Sequence, residues 1–183
     1  MKTLAILFFS FLVFASCSDV NKSNQLATID KLNTSLDSLK NELLNNKLDS
    51  AQQYSLEAID NETRIKNYFI EDTIDMVFAE KMTRYKNMRR AFKHMYLEFD
   101  NIVLGCDEVK ETLRQLKHDI ENGDGDRAKY DEYVHFEKSK FDKLEILAKD
   151  YFDSKKSNVA TFHELNPEIH DFSMKMQAKN QKP

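Results

Sequence analysis

The side chains able to do chemistry are few and scattered in this chain of 183 residues. Glu132 and His135 stand three apart, which on a helix puts a carboxylate and an imidazole on one face, where both could bind one metal ion. His170 and Met174 lie one turn apart with Met176 following, an imidazole with soft thioethers of the kind that hold copper. Cys106 is a lone thiol in the body of the chain, and two parallel copies of its helix would bring it against its mate and allow a symmetric disulfide. Lys81, Arg84, Lys86, Arg89, Arg90 and Lys93 form a run of cations with no carboxylate from 81 to 97, interleaved with Tyr85, Phe92 and Tyr96. No Ser-His-Asp arrangement, Gly-rich phosphate loop or paired-carboxylate spacing is present, so neither an enzyme nor a cofactor is expected.

Each metal candidate meets an objection in its own surroundings. The Glu132 and His135 pair resembles half of the motif of ferritin-like carboxylate metal proteins, in which two such pairs and two further Glu surround the metal inside a bundle. This chain has one pair, and the apolar register around it turns both residues toward solvent. His163-Glu164-Leu165-Asn166-Pro167 is similar to the start of a zinc-protease motif, with Pro where the second His is needed. Residues 122–133 are similar to an EF-hand loop in Asn122, Asp124 and Asp126, but Arg127 stands where Gly is required and Tyr133 where Glu is. Met176 belongs to an apolar seam. No metal site is assigned, and a metal-binding four-helix bundle is the alternative reading, with Glu132, His135, His170 and Met174 as its candidate ligands.

The element that must position these groups runs from Ile74 to Ile120. Phe78, Tyr85, Phe92, Phe99, Cys106, Leu113 and Ile120 recur every seven residues. Ile74, Met88, Met95, Ile102, Val109 and Leu116 fill the second seam, interrupted only by Lys81. This is the pattern of a long amphipathic helix, roughly 70 Å at 1.5 Å per residue, whose stripe other helices must cover. Gly105 is its weak point, yet the heptad phase passes through it unbroken, so a continuous helix is expected. Glu71, Asp72 and Asp75 suit its N-terminus. Three Gly, two Pro and no Trp leave little material for turns, which favours long helices with few connections.

Residues 1–16 stand apart from the fold. Met1 and Lys2 precede an apolar run from Leu4 to Phe14, too short to span a bilayer, which ends in Phe14-Ala15-Ser16-Cys17. That ending resembles the lipobox of bacterial lipoproteins. The resemblance implies a signal peptide removed before Cys17, acylation of Cys17 with palmitate among its chains, and attachment in the cell envelope. Ser18 after the Cys resembles lipoproteins sent to the outer membrane. With Cys17 acylated, Cys106 has no intramolecular disulfide partner.

Residues 17–25 carry the acyl group and read as a flexible tether, since 18–25 are polar and without period. Ile29, Leu32, Leu36, Leu39 and Leu43 mark a first helix over 26–46. Ser50 and Gln53 read as a capping box that opens a second, more thinly striped helix over 48–70. Asn122-Gly123-Asp124-Gly125-Asp126 is the strongest turn in the chain, with Asp126 placed to cap the next helix. Tyr130, Val134, Glu137, Phe141, Leu144, Ala148 and Tyr151 then make an apolar seam that folds back on the long helix. Reflection about residue 124 sets Phe141 near Asp107 and Tyr151 near Leu97. The same operation about residue 71 brings Lys81 close to Glu62, and that about residue 124 also sets Glu137 near Lys110 and Arg114. The polar stretch after Tyr151 predicts an interruption, and Asn166-Pro167-Glu168 predicts the start of a separate tail helix, frayed from Gln177. The expected fold is all-α, an elongated antiparallel bundle of three long helical layers over 26–152 with a docked tail over 153–183. A compact four-helix bundle broken at Gly105 is the alternative.

A formal charge of −4 gives no bulk attraction to nucleic acid. In the run of cations, Arg84 and Arg89 occupy positions that bridge to a neighbouring helix, while Lys86, Arg90 and Lys93 project outward. The resulting expectation is a lipid-anchored envelope protein acting as a binding or scaffolding module. Lys86, Arg90 and Lys93 would meet an anionic lipid, glycan or envelope protein, and Cys106 allows for a homodimer.

Overall fold

The computed structural model of the chain describes residues 2–70, 73 and 75–180, with side chains from residue 21 onward. Four α-helices follow in order, α1 (Lys2–Asn45), α2 (Ala51–Tyr68), α3 (Met76–Asn122) and α4 (Tyr130–Asn180), with a 3-10 turn at Arg127–Lys129 before the last. The fold is all-α, with no strand among the described residues. The chain divides into two compact units, each a set of three helical segments around an apolar core. Unit one holds α1 and residues 102–146, and unit two holds residues 46–101 and those from 147 onward.

In unit one, Ile29, Leu32, Leu36 and Leu43 of α1 are buried with Ile102, Val109, Leu113, Leu116 and Ile120 of α3. Tyr130, Val134, Phe141 and Leu144 of α4 complete this core. Helices α1 and α3 run antiparallel, as three ion pairs along them record. Asp30 meets Lys117 at 2.6 Å, Asp37 meets Lys110, and Lys40 meets Asp107 at 2.5 Å. Gly105 sits inside continuous α3, so the break of the compact alternative does not occur. A Cβ built there would stand 2.7 Å from Leu144 Cδ2, so the glycine lets α4 come close.

Unit two buries Ala51, Ala58 and Ile65 of α2 with Tyr85, Met88, Phe92, Met95 and Phe99 of α3. Tyr151, Phe162, Leu165 and Ile169 come from α4. Tyr54 stacks on Phe162 with ring centroids 4.3 Å apart, Phe78 packs on Phe172 at 4.2 Å, and Phe99 on Tyr151 at 5.7 Å. The Tyr151 hydroxyl also accepts the Leu48 amide at 3.3 Å.

The hairpin turn behaves as its residues require. Gly123 and Gly125 take φ of 73° and 78°, and the Asp126 side chain accepts the Ala128 amide at 3.2 Å. Reflection about 124 holds to within two residues, since Tyr151 meets Phe99 and Leu144 lies against the Gly105 position.

Several expectations are corrected. Residues 17–25, expected to form a flexible tether, belong to helix α1, and at the far end of that stretch Gln25 is buried and donates to Asp131 Oδ1 at 2.7 Å. Ser50 caps α2 without a side-chain hydrogen bond, its backbone C=O instead accepting the Tyr54 amide at 2.9 Å. The long helix starts at Met76, where Asp75 Oδ1 accepts the Val77 amide at 2.9 Å. Glu71, Asp72 and Ile74, assigned to its start, lie outside the described residues. There is no separate tail, because α4 continues through Asp153-Ser154-Lys155-Lys156-Ser157 and through Pro167.

The first of those stretches holds neither Gly nor Pro, and Tyr151 to Phe162 is an eleven-residue step, which returns to the same face of a straight helix. Pro167 has no amide to give the His163 carbonyl, but its fixed φ is helical and the turns on both sides are held by packing. Nor does α4 fray at Gln177, since Asn180 Nδ2 donates to the Tyr68 carbonyl at 2.7 Å.

These packing terms differ in weight. Leu113 is 0% exposed, and Leu113→Ala should lower stability by about 2–5 kcal/mol in urea denaturation. Neutralising Lys110, whose pair with Asp37 is half exposed, should cost about 1 kcal/mol or less in the same measurement.

Candidate functional site

Unit two holds the run of cations on α3, together with the carboxylates of α2 and α4 that meet part of it. The run of cations separates into two sets. Lys81 Nζ reaches Glu168 Oε2 at 2.6 Å, Arg84 makes a two-pronged pair with Glu164 at 2.8 and 3.0 Å, and Arg89 Nε meets Glu62 Oε1 at 2.8 Å. Arg84 and Glu164 hold each other charged, the guanidinium pKa raised and the carboxyl lowered, chiefly by their shared hydrogen bonds. Lys86, Arg90 and Lys93 are exposed and make no ion pair among the described residues. Spaced four and three apart, they form one outward stripe. Lys86 also lines a groove of ≈ 660 Å³ between α2 and α3, together with Ile59, Glu62, Thr63, Lys66 and Met82.

Two partner expectations fail here. Lys81 pairs with Glu168 rather than Glu62, because α4 does not stop before the tail and so brings Glu168 opposite Lys81. Glu137 in unit one is buried and bonds Lys140 Nζ at 2.9 Å, three residues along its own helix. Its expected partners go elsewhere, Lys110 to Asp37 and Arg114 to Glu111.

Beneath the paired cations lies a polar cluster inside the core of unit two. Asn61 and Ser173 are 0% exposed and Asn166 is 9% exposed, each at a position where helical spacing calls for an apolar residue. Asn61 Nδ2 donates to Tyr85 Oη and to Asn166 Oδ1, both at 3.0 Å. The Tyr85 hydroxyl donates to the same Asn166 oxygen, and Asn166 Nδ2 donates to Glu57 Oε1 at 2.7 Å. Asn61 Oδ1 accepts from Arg64 and lies 3.2 Å from both Ser173 Oγ and His170 Nδ1. Arg64 Nε donates to Ser173 Oγ at 3.0 Å. All four hydrogen-bonding capacities of the Asn61 amide are used, which is what makes a buried amide tolerable. Burial first of all pushes the Tyr85 phenol up to about 12, with the Asn61 bond acting the other way.

The remaining sequence candidates are dispersed. Glu132 and His135 are both exposed on α4 of unit one, and no three His, Cys, Asp or Glu gather as metal ligands among the described residues. His170 is half-buried at Asn61, whereas Met174 is 46% exposed. Cys106 is 2% exposed in the core of unit one, and burial raises its thiol pKa, with Asp107 adding to the effect. Its thiol packs inside its own unit, where a disulfide to a second copy would require the core to open. The side chain of Cys17 lies outside those described.

Residue types alone do not announce this cluster, because Asn61 interrupts a thinly striped helix and Asn166 directly precedes Pro167, where the expected tail helix would begin. The signal was present, since Asn61 stands three after Ala58 and four before Ile65, and Asn166 stands four after Phe162. No protein-family model, curated protein or solved structure matches this chain.

The Tyr85 phenol and the Cys106 thiol can each be probed directly. A phenol that ionises at about 12 when folded and 10 when free supports the fold fully below pH 10, and that support is lost as pH rises toward 12. Tyr85→Phe should therefore cost about 1 kcal/mol near neutrality and show a shallower alkaline loss of stability than the unsubstituted chain. For Cys106, a thiol reagent should react only after denaturant is added, and non-reducing gels should show monomer with and without Cys106→Ser.

Proposed function

We propose that this chain is a lipid-anchored envelope protein, held by acylated Cys17, whose helical units serve as a binding or scaffolding module rather than a catalyst. Its ligand is an anionic partner met by Lys86, Arg90 and Lys93. The observation that carries the reading is the division of the six cations. Lys81, Arg84 and Arg89 are neutralised by Glu168, Glu164 and Glu62, while Lys86, Arg90 and Lys93 are exposed and make no ion pair among the described residues.

A surface lysine that only solvates a helix has no need to share a face with two other unpaired cations, whereas an anionic surface is attracted by roughly 1 kcal/mol for each. No helix among the described residues is long and apolar enough to cross a membrane. In this reading attachment comes from the acyl chains on the Cys of Phe14-Ala15-Ser16-Cys17, and several chains hold where a single one only visits.

The test neutralises the stripe. Lys86→Gln, Arg90→Gln and Lys93→Gln together should leave stability within about 0.5 kcal/mol, since all three are exposed and unpaired. Capture of anionic components from a solubilised envelope fraction should fall by roughly 100-fold, at about 1 kcal/mol per cation. Capture unchanged by the triple variant removes the stripe from the reading. Absence of acyl mass on Cys17 in the protein isolated from its cell removes the anchor.

A further inference from the structure

Beside the core seam of α4 in unit one runs a second stripe that the fold leaves uncovered. Tyr130, Val134, Glu137, Phe141 and Leu144 are buried. The residues immediately before them are Lys129, Tyr133, Phe136, Lys140 and Lys143, of which Lys129 closes the 3-10 turn and the other four recur at steps of three and four along one line of α4. Tyr133 is 41% exposed and Phe136 57%. Lys140 Nζ stands 4.6 Å above the Phe136 ring and also bonds Glu137, while Lys129 keeps only a 3.9 Å contact with Asp126. Lys143 is exposed and makes no ion pair among the described residues. No carboxylate occupies any of the five positions.

We propose that this aromatic and lysine stripe is a membrane-contact face, which lays Tyr133 and Phe136 into the headgroup layer of an anionic bilayer with Lys129, Lys140 and Lys143 on its phosphates. The stripe has the composition such a layer selects, aromatic rings at the level of the headgroups and lysines that keep their ammonium groups in water. Its place in the fold supports the same partner, and this part of the argument rests on the anchored reading above. Gln25 is bonded to Asp131 at 2.7 Å, and Lys22 reaches the Glu121 carbonyl at 2.7 Å. Cys17 precedes Gln25 by eight residues, so whatever the conformation between them, the acylated residue stays within roughly 29 Å of that contact. Phe136 follows Asp131 by five residues, about 8 Å along the helix. Acylation at Cys17 therefore holds the start of α4 near the bilayer surface.

The chain has no Trp, so Phe136→Trp introduces a single indole reporter at an exposed position. Leu104→Trp, on α3 of the same unit and 59% exposed, serves as the control outside the stripe. On vesicles of zwitterionic and anionic phospholipid with brominated acyl chains, the acylated Phe136→Trp protein should shift its emission to the blue and be quenched. The Leu104→Trp protein should do neither. In the mature chain with Cys17→Ser, Lys129→Gln and Lys143→Gln should each weaken partition of the Phe136→Trp protein onto anionic vesicles about fivefold. The signal should persist when Lys86, Arg90 and Lys93 are neutralised.

An acylated Phe136→Trp protein that pellets with vesicles while its indole stays unshifted and unquenched overturns the stripe and leaves the anchor standing. Quenching in the Cys17→Ser chain supports the stripe even if the native Cys17 proves to carry no lipid. A blue shift that appears without lipid and grows with protein concentration assigns the face to a second copy of the chain and overturns the proposal.

Discussion

The structure depends on one constraint, that the apolar stripe of α3 has to be covered along its whole described length. Phe78, Tyr85, Phe92, Phe99, Cys106, Leu113 and Ile120 recur at seven-residue steps and every one is buried. A single amphipathic helix gains nothing from such a stripe in water, and the free energy comes only when other helices remove it from solvent. In unit one α1 and the first part of α4 do this, and in unit two α2 and the rest of α4 do. The continuity of α3 across Gly105 follows from the same demand. A turn there would slip the phase of the stripe, and the lost side chain is used instead to admit Leu144.

Apolar stripes alone leave the lengthwise setting of helices loosely specified, because sliding by one turn exchanges one large apolar residue for another. Polar groups narrow the choice. In unit one the pairs of Asp30, Asp37 and Lys40 with Lys117, Lys110 and Asp107 mark one antiparallel setting, each adding little individually because both partners face water. Unit two uses a buried device. Asn61, Tyr85 and Asn166 satisfy one another only when all three helical segments stand in one register, and a slip would strand buried amides without partners. Such a cluster adds less net stability than apolar packing and more discrimination against wrong settings.

Surface charge then divides into what the fold consumes and what it leaves. Glu164 and Glu168, one turn apart on α4, take Arg84 and Lys81. The outward face of α3 keeps Lys86, Arg90 and Lys93, and the flank of α4 in unit one keeps Lys143 beside Tyr133 and Phe136. These two surfaces, on different units, are where an outside partner would meet cations not already neutralised. They differ in kind, since the first is cationic alone and the second carries aromatic rings.

Much of this was legible in the residues themselves. The all-α class, the long helix through Gly105, the Gly123 and Gly125 hairpin with its Asp126 cap, and the outward set of Lys86, Arg90 and Lys93 all follow from periodicity and turn chemistry. These are local properties, because 3.6 residues per turn decides which side chains share a face before any partner arrives. What only the tertiary structure decided depends on distant segments. Whether α4 stops after Tyr151 or at Pro167 turned on packing against α2 and α3, and that continuation chose Glu168 as the partner of Lys81. Asn61 and Asn166 look like interruptions or caps in isolation, and became a core cluster only when helices more than a hundred residues apart along the chain set their amides within 3.0 Å. A hydrogen bond needs both partners in one place, and one helix's spacing does not contain the position of another.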